Sequence, residues 1–225
     1  MNSLNLNLKK QITQDWLNFF PEMSFFKPMW LIKRNGPLLI GVCLESVLGN
    51  TAYRPVLHIH NLCRPTGFIS LTLWNPIQNK RNTNYQTINI KSHTYSFEEA
   101  AKSLRQQSLF PISEKTSLSE ILTAYQKYLR LNMPSSKYPI FIYEDIISLL
   151  TWCGKRKEAE KKFNDFVKIM SNWMPIVFEN VGGYNTFCNK LYDIIDTPHK
   201  LQEIYDSEIM LLKANKLPDL GFTCN

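Results

Sequence analysis

The spacing of apolar residues changes character along the chain. Leu8, Ile12, Trp16 and Phe19 recur at helical intervals and predict an opening amphipathic helix that Pro21 ends or follows. Beyond it the rhythm shortens. Met29 to Lys33, Leu38 to Val47, Tyr53 to Leu62, Gly67 to Trp74 and Tyr85 to Ile90 are short runs rich in Leu, Ile, Val and aromatics. They are separated by Asn35-Gly36-Pro37, Gly49-Asn50, Arg64-Pro65-Thr66-Gly67 and the polar stretch from Asn75-Pro76 to Asn84. Five strands in a mostly antiparallel meander follow from this pattern, because short turns join antiparallel neighbours whereas parallel ones need long crossovers. Gln78 to Asn84 is expected to form an exposed polar loop, of the kind that can serve as a hairpin tip.

From Ser96 onward the pattern turns helical. Ser96-Phe-Glu-Glu99 and Ser117-Leu-Ser-Glu120 each place a hydroxyl three residues before a carboxylate, the reciprocal arrangement that satisfies free amides at a helix start. Helices are therefore expected from Ser96 to about Leu109 and from Leu118 to a stop before Pro134. Further helices are expected at Ile140 to Trp152, Arg156 to Met170, Tyr184 to Ile195 and Pro198 to Leu212, the last opened by Thr197-Pro198. The fold class is α+β. Residues 1–95 form a basic helix-plus-sheet region, and residues 96–225 form a charge-balanced helical region that either shares its core or stands alone.

Within the helical half, Leu149 to Phe166 resembles the turn and second helix of a tetratricopeptide-type hairpin, with Gly154 at the turn and Ala159 where the helices would cross. No second copy recurs at the expected period, and such repeats need stacked neighbours to bury their faces. The resemblance implies a helix hairpin suited to packing or protein recognition more readily than to chemistry.

Composition narrows the class. Of the 225 residues, 44% are hydrophobic, with 13 Phe, 10 Tyr and 5 Trp, so the chain has enough apolar surface to fold and is not intrinsically disordered. The longest apolar run, Pro139 to Cys153, is too short for a bilayer and is interrupted by Glu144 and Asp145. The N-terminal lysines follow the leucines, unlike a signal peptide. A cytoplasmic protein is expected, without membrane attachment. Five dispersed cysteines read as buried or inert thiols, and their odd number leaves at least one unpaired within the chain.

The formal net charge of +7 is carried by one half of the chain. Residues 1–95 hold ten Lys or Arg against three Asp or Glu, while residues 96–225 hold sixteen of each. Such a field can steer an acidic protein or a polyanion.

Catalytic signatures are absent from the sequence. It has no Gly-x-Ser-x-Gly elbow, phosphate-binding glycine loop, His-Glu-x-x-His helix or dinucleotide fingerprint. No catalytic residue, metal or cofactor is assigned. His58-Ile59-His60 is the one pair with metal-ligand spacing on a strand, and it lacks a third ligand unless folding recruits Cys43, Cys63 or His93. The adjacent Glu144 and Asp145 diverge around a helix and read as a charge pair, not as a shared acid–base site.

Small bacterial immunity and antitoxin-like proteins are similar in type: this size, without catalytic motifs, and with a charged surface offered to a partner. The leading expectation is thus a non-catalytic protein-binding module that occludes an acidic surface, such as that of a toxin. Arg54, Arg64, Lys80 and Arg81 are expected to orient the partner, with Trp74 and Tyr85 as desolvated anchors. A nucleic-acid-binding accessory protein is the second expectation, since basic residues alternate with aromatics. An enzyme with a site around His58 and His60 is the third.

Overall fold

The computed structural model describes residues 4–79, 84–112, 115–131 and 136–225. The fold is α+β: an N-terminal helix, an antiparallel sheet, then a helical region. Two compact units are present, the first comprising residues 1–60, 70–116 and 216–222 and the second residues 61–69, 117–215 and 223–225.

In the first unit, α1 (Leu6–Phe19) is capped by Asn5, whose side chain accepts the Leu8 amide at 2.9 Å. Strands β1 (Ser24–Lys27), β2 (Trp30–Asn35), β3 (Leu38–Val47), β4 (Ala52–Asn61) and β5 (Asn75–Pro76) lie in that order, and β6 (Ile88–Asn89) also pairs with β4. Arg34 pairs with Leu39 and Asn35 with Leu38 across the β2–β3 hairpin, whose turn needs the positive φ of Gly36. Residues 216–222 return to this turn. Asp219 accepts the Gly36 amide at 2.9 Å and pairs with Arg34 at 3.1 Å. At Gly41, a Cβ would stand 2.4 Å from the Leu31 carbonyl oxygen, so no larger residue fits between β2 and β4.

Helix α2 (His93–Gln106) begins three residues before the predicted start. The Ser96 hydroxyl bonds back to the Ser92 carbonyl at 2.7 Å, so it sits inside the first turn and does not cap it. A buried hydrogen-bond chain joins three elements of this unit. Trp16 Nε1 donates to the Tyr53 hydroxyl at 3.0 Å, that hydroxyl meets His93 Nδ1 at 2.7 Å, and His93 Nε2 meets Asp15 at 3.0 Å.

Two strand predictions are corrected. The segment Gly67 to Trp74 forms no strand. Its backbone amides bond to side chains instead: the Ser70 amide donates to His60 Nδ1 at 3.2 Å, and the Gly67 amide donates to the Glu208 carboxylate at 3.2 Å. Strand β1 is additional to the predicted set, and the run beginning at Tyr85 yields only the two residues of β6.

The second unit is helical: α3 (Leu118–Leu129), α4 (Ile140–Trp152), α5 (Arg156–Met170), α6 (Tyr184–Asp196) and α7 (His199–Leu211). The predicted capping box opens α3, with the Ser117 amide donating to Glu120 at 2.8 Å and the Glu120 amide to Ser117 Oγ at 3.3 Å. Thr197 does not cap α7, because its hydroxyl donates to the Asp193 carbonyl at 2.7 Å. Helix α4 is buried from Ile142 through Thr151 and packs against α3, α5 and α6. Its hairpin with α5 turns at Gly154, which has a φ of 69°, and Ala159 is fully buried.

Cys153 and Cys224 form a disulfide, which overturns the reading of these two cysteines as inert thiols. Cys43 and Cys63 are buried, and burial raises both thiols, that of Cys43 to about 12. The bridge closes a loop with a sequence separation of 71 residues. Its removal by Cys153→Ala is expected to cost about 2–4 kcal/mol in urea unfolding. The same loss should follow reduction of the unaltered protein, and a midpoint insensitive to reductant would contradict it.

Candidate functional site

Three of the six residues expected to contact a partner meet in the first unit. Arg54 lies early in β4, Trp74 just before β5, and Tyr85 beyond the hairpin tip; all three are half-buried. The guanidinium carbon of Arg54 is 5.7 Å from the Trp74 ring centroid and 5.3 Å from that of Tyr85. The two rings meet edge to face at 5.0 Å. These distances bring a cation within reach of both π faces.

Glu45 on β3 holds the cluster. One carboxylate oxygen accepts Trp74 Nε1–H at 2.8 Å, and the other lies 4.0 Å from an Arg54 terminal nitrogen. Sequence reasoning missed Glu45, although as the lone acid in an otherwise apolar strand it was the available signal. A polar clamp on one side thus fixes the aromatic and basic groups, and part of the surface of each is exposed. A prepositioned anchor loses less rotamer freedom on binding than a mobile one.

Of the other three residues, only Arg64 is described, and it falls outside this cluster, in the second unit. Lys80 and Arg81 fall outside the described residues. At the base of that hairpin tip, Gln78 bridges to Tyr85 and the Asn79 amide donates to the Asn84 carbonyl at 2.9 Å, in keeping with the expected hairpin. Arg64 is corrected from surface to interior. It belongs to the second unit and is 3% exposed, with Nε 3.9 Å from Asp145 and its guanidinium carbon 4.7 Å from the Phe141 ring centroid. Asp145 also accepts the Tyr125 hydroxyl at 2.8 Å. Burial raises the Asp145 carboxyl above the usual carboxylate range, even though Arg64 pulls it down.

The histidines have separate surroundings. His58 is fully buried against the edge of Trp30, with ring centroids 5.2 Å apart, and neither ring nitrogen has a hydrogen-bond partner among the described residues. Burial pushes its pKa down to about 3, and the Lys27 ammonium acts in the same direction. His60 Nδ1 bonds to Ser70 Oγ at 2.9 Å. His93 is engaged by Tyr53 and Asp15. Among the described residues no group of three or more His, Cys, Asp or Glu side chains is arranged to hold a metal ion. The Asp15–His93–Tyr53 order resembles a nucleophile relay in its connections, but the Tyr53 hydroxyl belongs to a fully buried side chain, so its geometry serves packing.

Glu144 and Asp145 do diverge around α4, as their adjacency predicted, yet both are buried instead of forming an exposed charge pair. Lys190 Nζ meets Glu144 Oε1 at 2.6 Å, while Asp145 faces Arg64. No described helix is long and apolar enough to cross a membrane. No protein-family model, curated protein or solved structure matches the chain.

Proposed function

We propose that the chain is a non-catalytic, cytoplasmic protein-binding module of the immunity or antitoxin kind. Its mechanism is steric: the face around Arg54, Trp74 and Tyr85 docks on an acidic partner surface, such as the active-site rim of a toxin, and covers it. The observation that carries this reading is the clamped cluster itself, a guanidinium against two aromatic rings held by Glu45. Trp, Tyr and Arg are the side chains that most often dominate interface energetics. The charge of the surrounding unit supports the same partner class, since it carries thirteen Lys or Arg against seven Asp or Glu. Such an excess accelerates encounter with an acidic surface and disfavours a basic one.

The test is capture of a partner by tagged protein from its native lysate at low and moderate salt, followed by titration of that partner. Trp74→Ala is expected to weaken association by about thirtyfold or more, the range of an interface hot spot. Arg54→Glu should slow association and flatten its salt dependence, because less attraction is left for salt to screen, with both variants unfolding near the parent's midpoint. Unchanged affinity in both would remove this face from the interface. Recovery of nucleic acid that dissociates in high salt would favour the accessory-protein reading, because phosphate contacts release counterions.

A further inference from the structure

The second unit has an open pocket of about 440 Å³ between α4, α6, α7 and the turn at Cys63 and Pro65. That volume lies in the usual range for small-ligand sites. Ile194, Leu201 and Ile204 give it an apolar wall, and Glu144 and Asp193 supply negative charge, Lys190 and Lys200 positive. The decisive group is Glu144. It is 1% exposed, its Oε1 is met by Lys190 at 2.6 Å, and its Oε2 has no hydrogen-bond partner among the described residues.

A buried carboxylate favours donors on both oxygens, and an ammonium is a point charge that here reaches one. A planar guanidinium or amidinium presents two parallel N–H groups and meets both. Lys190 is 45% exposed at its side chain, so it can leave the carboxylate for water while an incoming cation keeps the buried charge neutralised.

We propose that this cavity binds a guanidinium or amidinium group carried on an apolar body, with Glu144 as its forked acceptor and Lys190 as the internal occupant it displaces. Asp193 adds a second negative charge to the wall, and Ile194, Leu201 and Ile204 receive the apolar body. The group can belong to a free small molecule or to an arginine side chain of another protein. The proposal concerns different residues from the Arg54 face and does not depend on that reading.

Calorimetric titration of the unaltered protein with benzamidine and benzylamine compares a fork and a point charge on the same phenyl body. Benzamidine is expected to bind one to one, at least about tenfold tighter than benzylamine. Lys190→Ala, which removes the competitor, should tighten benzamidine by roughly three- to tenfold. Glu144→Gln should abolish binding while the circular dichroism spectrum is kept. Equal affinities for the two probes, no detectable benzamidine binding, or weaker binding by Lys190→Ala would each overturn the proposal. A capped Phe-Arg dipeptide amide distinguishes the sources: tighter binding than benzamidine identifies a protein arginine, and weaker binding a free small molecule.

Discussion

Replacing Arg64 by Met is expected to cost about 3–5 kcal/mol, because it leaves the buried carboxylate of Asp145 without its cation. Methionine keeps much of the apolar stem that lies beside Phe141, so the loss reports charge more than volume. The Tyr125 hydroxyl still donates to Asp145 but cannot neutralise it. Adding Asp145→Asn should therefore recover more than half of the loss, since the amide is neutral and its oxygen can still accept from Tyr125. Urea unfolding of the parent, both single variants and the double variant measures the coupling. A loss below about 1 kcal/mol for Arg64→Met would show that the pair contributes no more than an exposed ion pair does.

Acid should weaken the protein through His58. Burial holds its ring at a pKa of about 3 when folded, against an ordinary value of 6.5. Between those pH values the unfolded chain binds a proton that the folded chain refuses. Stability consequently falls as pH falls, by about 1.4 kcal/mol per pH unit from this one group. His58→Leu removes the effect, and its stability should depend less steeply on pH across the same window by that amount. At pH 7 the variant should unfold within about 1 kcal/mol of the parent, because neither ring nitrogen has a hydrogen bond to lose. Paired urea titrations at pH 7, 6, 5 and 4 provide the comparison. Identical slopes would mean that His58 takes up its proton in the folded state at ordinary cost.

Where local physics decides the structure, the sequence was legible. Strand Leu38–Val47 and helices Ile140–Trp152 and Arg156–Met170 have their predicted bounds, because continuous apolar runs and the positive-φ turn at Gly154 act within a few residues. The capping box at Ser117 formed for the same reason. The matching box at Ser96 failed because residues 93–95 already form the first turn, which gives the Ser96 hydroxyl a nearer acceptor. Gly67 to Trp74 looked like a strand by composition, but Glu208 and His60 supply acceptors that composition cannot foresee. The candidate site was half legible. Residue type pointed to Arg54, Trp74 and Tyr85, while their convergence depends on Glu45 and the sheet. Arg64 has the same chemistry as Arg54, and only the tertiary position of Asp145 distinguishes a buried ion pair from a surface handle. The pocket at Glu144 was signalled by acids in the middle of an apolar helix, which were read as a helix charge pair.

The chain from Trp16 to Asp15 has a direction. An indole N–H can only donate and an ionised carboxylate can only accept, so with a neutral imidazole the Tyr53 hydroxyl gives its proton to His93 Nδ1, and His93 carries its own on Nε2. The ends of the chain thus choose the tautomer in the middle. This also sets an order of events during synthesis. The opening helix emerges first, yet the indole's partner lies 37 residues further along and the histidine another 40 beyond that. Until residue 93 has left the ribosome the Tyr53 hydroxyl lacks this acceptor, so the bonded chain that ties the N-terminal helix to the sheet is completed only when the first turn of α2 arrives.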